Sequence, residues 1–142
     1  MELEELSETL LINDCYNANP ESVIAALRTL ALLTQERGGS SWAILGKMHE
    51  LGESSASEHA RVGKIAHDIE IDHLLAVGEP TYLSDIESGE TMAVSLLSKD
   101  QVGEYIQHFQ PGDVVLVKAS RAEKFETIVD EIRKVLKERS AL

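Results

Sequence analysis

Thr9-Leu-Leu-Ile-Asn13 passes through Asp14-Cys-Tyr-Asn-Ala-Asn19 into a long stretch that starts at Pro20 and runs to about Arg37. Its reading decides the fold. The first run is short, apolar and bounded by turn formers, the pattern of a buried strand. Asn19 is a helix N-cap, and Pro20 suits the first helical position, whose N–H has no helical partner. Beyond it Val23, Ile24, Leu27, Leu30 and Ala31 recur on one helical face. A strand leading through a short loop into an amphipathic helix is half of a βαβ unit.

The same grammar recurs along the chain. Ser41–Leu45, His73–Val77, Met92–Val94 and Val114–Lys118 read as further buried strands. Val62, Ile65, Ala66 and Ile69 mark a second helix, and Val102, Tyr105, Ile106 and Phe109 a third. Phe125, Ile128, Val129, Ile132, Val135 and Leu136 mark the last. Ser55 with Glu58, Ser98 with Gln101 and Ser120 with Glu123 each match a capping box. Leu3–Leu6 adds an edge strand that turns near Ser7-Glu8. Strands alternating with helical crossovers imply an α/β fold, a mainly parallel sheet with helices on both faces. No repeat or long linker divides the chain, so residues 1–142 are expected to form one domain.

The chain has 142 residues, 43 % of them apolar, and a formal charge of −12 from 13 Lys plus Arg against 25 Asp plus Glu. That apolar share supports a packed core. The negative field repels phosphate backbones, and 4 % aromatic residues provide little stacking surface, so nucleic-acid binding is not expected. Cys15 is the single cysteine, which excludes an intrachain disulfide framework and suits a reducing compartment. Met1 is followed by acidic residues rather than a basic and apolar leader, and no apolar run approaches membrane-spanning length. A cytoplasmic protein without membrane contact is expected.

Ligands of such sheets gather beyond the carboxyl ends of the strands, which selects Asn13–Asn19, Gly46–Gly52 and Lys118–Arg121. In the first, Asp14 can accept ribose hydroxyls, Asn17 can read a purine edge and Tyr16 can pack on a base. Asn19 alone is explained as a helix cap. In the second, Gly46-Lys47 follows a strand, but Ser41 and Met48 occupy positions where a phosphate loop needs Gly and Ser or Thr. His49, Glu50 and His59 match no zinc spacing, so no metal site is expected. In the third, Ser120 with Glu123 reads as a cap. Arg121 in a first helical turn would oppose the dipole by about 0.3–1 kcal/mol, which Glu123 or a bound anion shared with Lys118 would offset. His67, His73 and His108 fall at element ends. The chain has no dinucleotide fingerprint, no Gly-x-Ser-x-Gly elbow and no histidine assigned to Cys15, hence no complete catalytic apparatus.

Asn13-Asp-Cys-Tyr-Asn-Ala-Asn-Pro20 resembles the Asp-x-Tyr-Asn-Ala-Asn-Pro signature of MurF-type Mur ligases, the UDP-N-acetylmuramoyl-tripeptide:D-alanyl-D-alanine ligases of peptidoglycan synthesis. Leu45-Gly-Lys-Met-His-Glu-Leu-Gly52 is similar to that family's Leu-Gly-Asp-Met-x-Glu-Leu-Gly. His59 with Val62-Gly63 is similar to its His-x-x-Val-Gly. Pro111-Gly-Asp-Val-Val-Leu-Val-Lys-Ala-Ser-Arg121 is similar to its Gly-Asp-x-Val-Leu-Val-Lys-Gly-Ser-Arg. The resemblance covers essentially the whole chain. Lys47 and Ala119 depart from it, standing where the family has Asp and Gly.

The resemblance implies a Rossmann-like three-layer sandwich that is the third and last domain of the ligase. The first domain would hold the UDP-sugar, and the central ATPase domain would supply the phosphate loop, the Mg2+ ligands and the catalytic lysine. The last would close over ATP and bring the D-Ala-D-Ala dipeptide. Asp14, Tyr16, Asn17 and Asn19 would then bind nucleotide, Asp14 at the ribose. Lys118, Ser120 and Arg121 would face the dipeptide, with no catalytic residue here and the isolated domain inactive. Two other readings remain: a free-standing binding or regulatory module, and the same domain of a related Mur or folylpolyglutamate-type ligase.

Overall fold

Val114–Lys118 opens on four successive apolar residues, and in the computed structural model, which describes residues 1–87 and 91–140, it lies inside the sheet. Strands β1 (Glu2–Leu6), β2 (Thr9–Asp14), β3 (Ser41–Leu45), β4 (His73–Val77), β5 (Ala93–Leu97) and β6 (Val114–Lys118) form one sheet in the order β1-β2-β6-β3-β4-β5. Only β1 is antiparallel, pairing Leu3 with Ile12 across the tight turn at Ser7 and Glu8. The other pairings are parallel. A parallel strand covered on both faces has no solvent side, which is why Val-Val-Leu-Val shows no polar alternation.

Successive residues of a strand point to opposite faces. Ile12, Ala43, Leu74, Val114 and Leu116 therefore enter one core, beneath α1 (Pro20–Arg37) and α2 (Ser55–Asp68). Leu11, Trp42, Ile44, Leu75, Val115 and Val117 enter a second core, beneath α3 (Gly103–Ile106) and α4 (Glu126–Ser140). This is the expected three-layer α/β sandwich. No helix among the described residues is long and apolar enough to cross a membrane.

Helix α1 starts and stops where its sequence directs. The Asn19 side chain accepts from the Ser22 N–H, while the Ser22 hydroxyl accepts from the Asn19 N–H. Gly38 ends the helix in the left-handed conformation (φ 80°), its N–H donating to the Thr34 carbonyl.

Other local expectations give way to tertiary contacts. The strand placed at Met92–Val94 is β5, Ala93–Leu97; it pairs on one side only, with β4, and its exposed Val94 and Leu96 break the buried-strand pattern. The third helix shrinks to Gly103–Ile106 between tighter turns. Arg139 of α4 captures the carbonyls of Ile106, Gln107 and Phe109, which a longer helix would have used. Ser55 lies inside α2, so its box with Glu58 does not form, and Glu58 pairs with Arg61. Ser98 and Gln101 do form their box, at the head of a single 3-10 turn.

Candidate functional site at the carboxyl edge

The order of the parallel strands puts the end of β6 between the ends of β2 and β3. Lys118 is aligned with Asp14 on one side and with Leu45 on the other. The Lys118 ammonium is 3 % exposed, 2.7 Å from Asp14 Oδ2, and donates at 2.9 Å to the Asn17 carbonyl. An ammonium is tolerated at such depth only when paired and hydrogen-bonded. The Asp14 side chain keeps 18 % exposure; Lys118 holds Oδ2, and Oδ1 lies 3.9 Å from the Met1 ammonium. Two segments that the sequence reading gave to different ligands thus meet in one ion pair.

Around Asp14 the loop offers its side chains outward. Tyr16 is 58 % exposed, and Asn17 and Asn19 are exposed. Asn19 spends its Oδ1 on the helix cap. Cys15 points inward, where burial pushes its thiol pKa up and keeps it an inert thiol.

Ser120 does not cap α4, which begins only at Glu126. Its backbone N–H donates to the Lys47 carbonyl, and its hydroxyl accepts from the His49 N–H at 2.9 Å and faces the Ala18 carbonyl at 3.5 Å. Glu123 likewise turns to the loop after β3, with its carboxylate 2.7 Å from His49 Nε2. The capping expectation for this pair fails because a 3-10 turn, Arg121–Glu123, separates Ser120 from the helix. The dipole argument for Arg121 fails with it. Arg121 stands exposed at the head of that turn, and no ion pair holds it among the described residues. Ala119 avoids the left-handed region, so the Gly-to-Ala departure strains nothing.

The loop Gly46–Gly52 is built around His59. His59 Nε2 accepts the Met48 N–H at 2.9 Å and Nδ1 donates to the Ser55 carbonyl at 2.7 Å, an arrangement that one neutral tautomer satisfies. No three His, Cys, Asp or Glu residues among those described cluster as a metal site. Tyr82, which sequence reasoning did not single out, stands edge-on to His59 and donates at 2.6 Å to the Gly46 carbonyl. Beside it, burial raises the Glu79 carboxyl, but donation from Thr81 and the nearby Lys47 outweigh that and bring it below the usual range. Tyr82→Phe is expected to cost about 1–2 kcal/mol by leaving the Gly46 carbonyl unpaired. Urea unfolding measures it.

The chain also matches known proteins. Residues 1–121 match the family model described as Mur ligase, glutamate ligase domain. The chain belongs to that family. As a Mur ligase domain it is 33 % identical over 143 residues to the UDP-N-acetylmuramoyl-tripeptide--D-alanyl-D-alanine ligase of Mycobacterium tuberculosis, covering 86 % of this chain and 28 % of that one. The ligase of the same name from Bacillus subtilis is 32 % identical over 132 residues, covering 86 % and 27 %. Among solved structures, the MurF ligase of Thermotoga maritima in complex with ADP superposes with a TM-score of 0.79 at 29 % identity, over 97 % of this chain and 31 % of that one. MurF from Acinetobacter baumannii gives 0.78 at 27 % identity, over 94 % and 30 %. The Mur ligase domain therefore spans less than a third of the length of these relatives.

Proposed function

We propose that this chain is the third, closing domain of an ATP-dependent ligase that adds D-Ala-D-Ala to UDP-N-acetylmuramoyl-tripeptide in peptidoglycan synthesis in the cytoplasm. The observation that carries the reading is the Asp14 carboxylate, set at the carboxyl edge by Lys118 and partly exposed beside exposed Tyr16 and Asn17. The relatives' printed names supply the reaction, and the ADP bound to the Thermotoga maritima ligase supports a nucleotide as one of its ligands.

On this reading Asp14 accepts the ribose hydroxyls of ATP, and Tyr16, Asn17 and Asn19 line the adenine side. Lys118 acts through Asp14, holding the carboxylate in place with a 2.7 Å hydrogen bond. Ser120 sets the turn from which Arg121 meets the dipeptide carboxylate. The phosphate loop, the Mg2+ ligands and the UDP-sugar site belong to the other two domains of the ligase. ATP activates the tripeptide carboxylate as an acyl phosphate, and the dipeptide amine attacks it. This domain contributes position and exclusion of water, since an acyl phosphate survives only if it meets the amine before it meets solvent.

Asp14→Asn keeps an acceptor for Lys118 but removes the charge offered to the ribose. In the full-length ligase its KM for ATP is expected to rise by about 10-fold or more, the scale of one charge-assisted hydrogen bond. Its KM for D-Ala-D-Ala should hold. Arg121→Ala is expected to do the reverse. Unchanged ATP kinetics in Asp14→Asn would remove the ribose assignment.

A further inference from the structure

We propose that His49 and Glu123 are positioning residues that clamp the loop after β3 onto the turn after β6 and so fix where Arg121 is presented. This rests on the reading of Arg121 given above. The turn Arg121–Glu123 has only two short-range backbone bonds of its own, from the Glu123 and Lys124 N–H groups, and it leaves through Lys124 in the left-handed conformation (φ 55°). A non-glycine residue there carries strain that the surroundings must offset. Local preference therefore does not set the turn.

Two surrounding loops set it. Ser120 is tied to the loop after β3 twice, through the Lys47 carbonyl and the His49 N–H. Glu123 is tied to it again by the His49 ring at 2.7 Å. The Glu123 carbonyl accepts from Lys99 Nζ at 2.8 Å, which brings in the loop after β5. A carboxylate can only accept, so His49 Nε2 carries the hydrogen whether the ring is neutral or charged. One histidine thus grips both ends of the turn, by its backbone at Ser120 and by its ring at Glu123. Arg121 lies between the two grips. His49 occupies the position that the Leu-Gly-Asp-Met-x-Glu-Leu-Gly pattern leaves open.

The test is steady-state ligation by the full-length enzyme, with ATP and D-Ala-D-Ala varied separately. His49→Ala and Glu123→Ala are each expected to raise the KM for the dipeptide about 5–10-fold, with the KM for ATP within about twofold of wild type. His49→Gln, whose amide N–H reaches Glu123, should restore the dipeptide KM. The His49→Ala/Glu123→Ala double variant should be no worse than either single one, because both remove the same bond. A flat dipeptide KM, a parallel rise in both KM values that tracks a fall in Tm, or additive losses would each overturn the clamp. Wild-type enzyme that cannot ligate D-Ala-D-Ala would overturn the functional reading and the clamp with it. Active wild type with an unaffected His49→Ala would overturn the clamp alone.

Discussion

Lys118→Met is expected to destabilise the fold by about 3 kcal/mol, at the low end of what breaking a buried ion pair costs. The ammonium is 3 % exposed and its partner Asp14 is 18 % exposed. Met fills a similar volume, so the loss comes from electrostatics rather than from a cavity. It leaves the Asp14 carboxylate with only the more distant Met1 ammonium at 3.9 Å and the Asn17 carbonyl without the Lys118 donor. Partial exposure lets water reach Asp14, which is why the larger figures for sealed pairs do not apply. Adding Asp14→Asn to Lys118→Met removes the stranded charge and is expected to recover at least half of the loss. Urea unfolding midpoints of the two variants decide it, and equal losses would mean that the pair is not what Lys118 contributes.

Gly63→Ala is expected to be comparably severe. In a helix interior, Ala for Gly ordinarily gains up to about 1 kcal/mol. Here the new Cβ would sit 1.8 Å from the Tyr82 carbonyl oxygen and 2.9 Å from its carbon. Neither is the end of a flexible side chain, so α2 and the turn Pro80–Leu83 must separate. Separation moves Tyr82, which loses its bond to the Gly46 carbonyl and its contact with His59. Overpacking of this kind costs about 1–3 kcal/mol, and the lost bond adds about 1. For a domain of this size, a net loss of about 1–3 kcal/mol lowers Tm by roughly 3–10 °C. A melting curve unchanged or raised would show that the two elements part freely.

That glycine also explains a motif. His59 and Val62-Gly63 are one helical turn apart and so share a face. His59 reaches forward to the Met48 N–H, Val62 enters the core, and Gly63 admits the backbone of Tyr82. The spacing was visible in the sequence. Its purpose was not, because Tyr82 and Met48 lie in other elements.

The sequence by itself determined much of what depends on neighbours within a turn or two. Apolar runs of Thr9–Asn13, Ser41–Leu45, His73–Val77 and Val114–Lys118 were strands, Asn19-Pro20 opened α1, and the alternation required a mainly parallel sheet with two covered faces. The four ordered motifs pointed to the Mur ligase family for the same reason: they are local strings. Where a residue had two possible partners, local rules chose the near one and failed. Ser120 and Glu123 were read as capping each other and instead hold His49. Only the tertiary structure decided that β6 inserts between β2 and β3, and that insertion makes the site. It sets Lys118 beside Asp14 across 104 residues of chain, a pairing favoured because a buried ammonium must find a carboxylate wherever the strand order brings one.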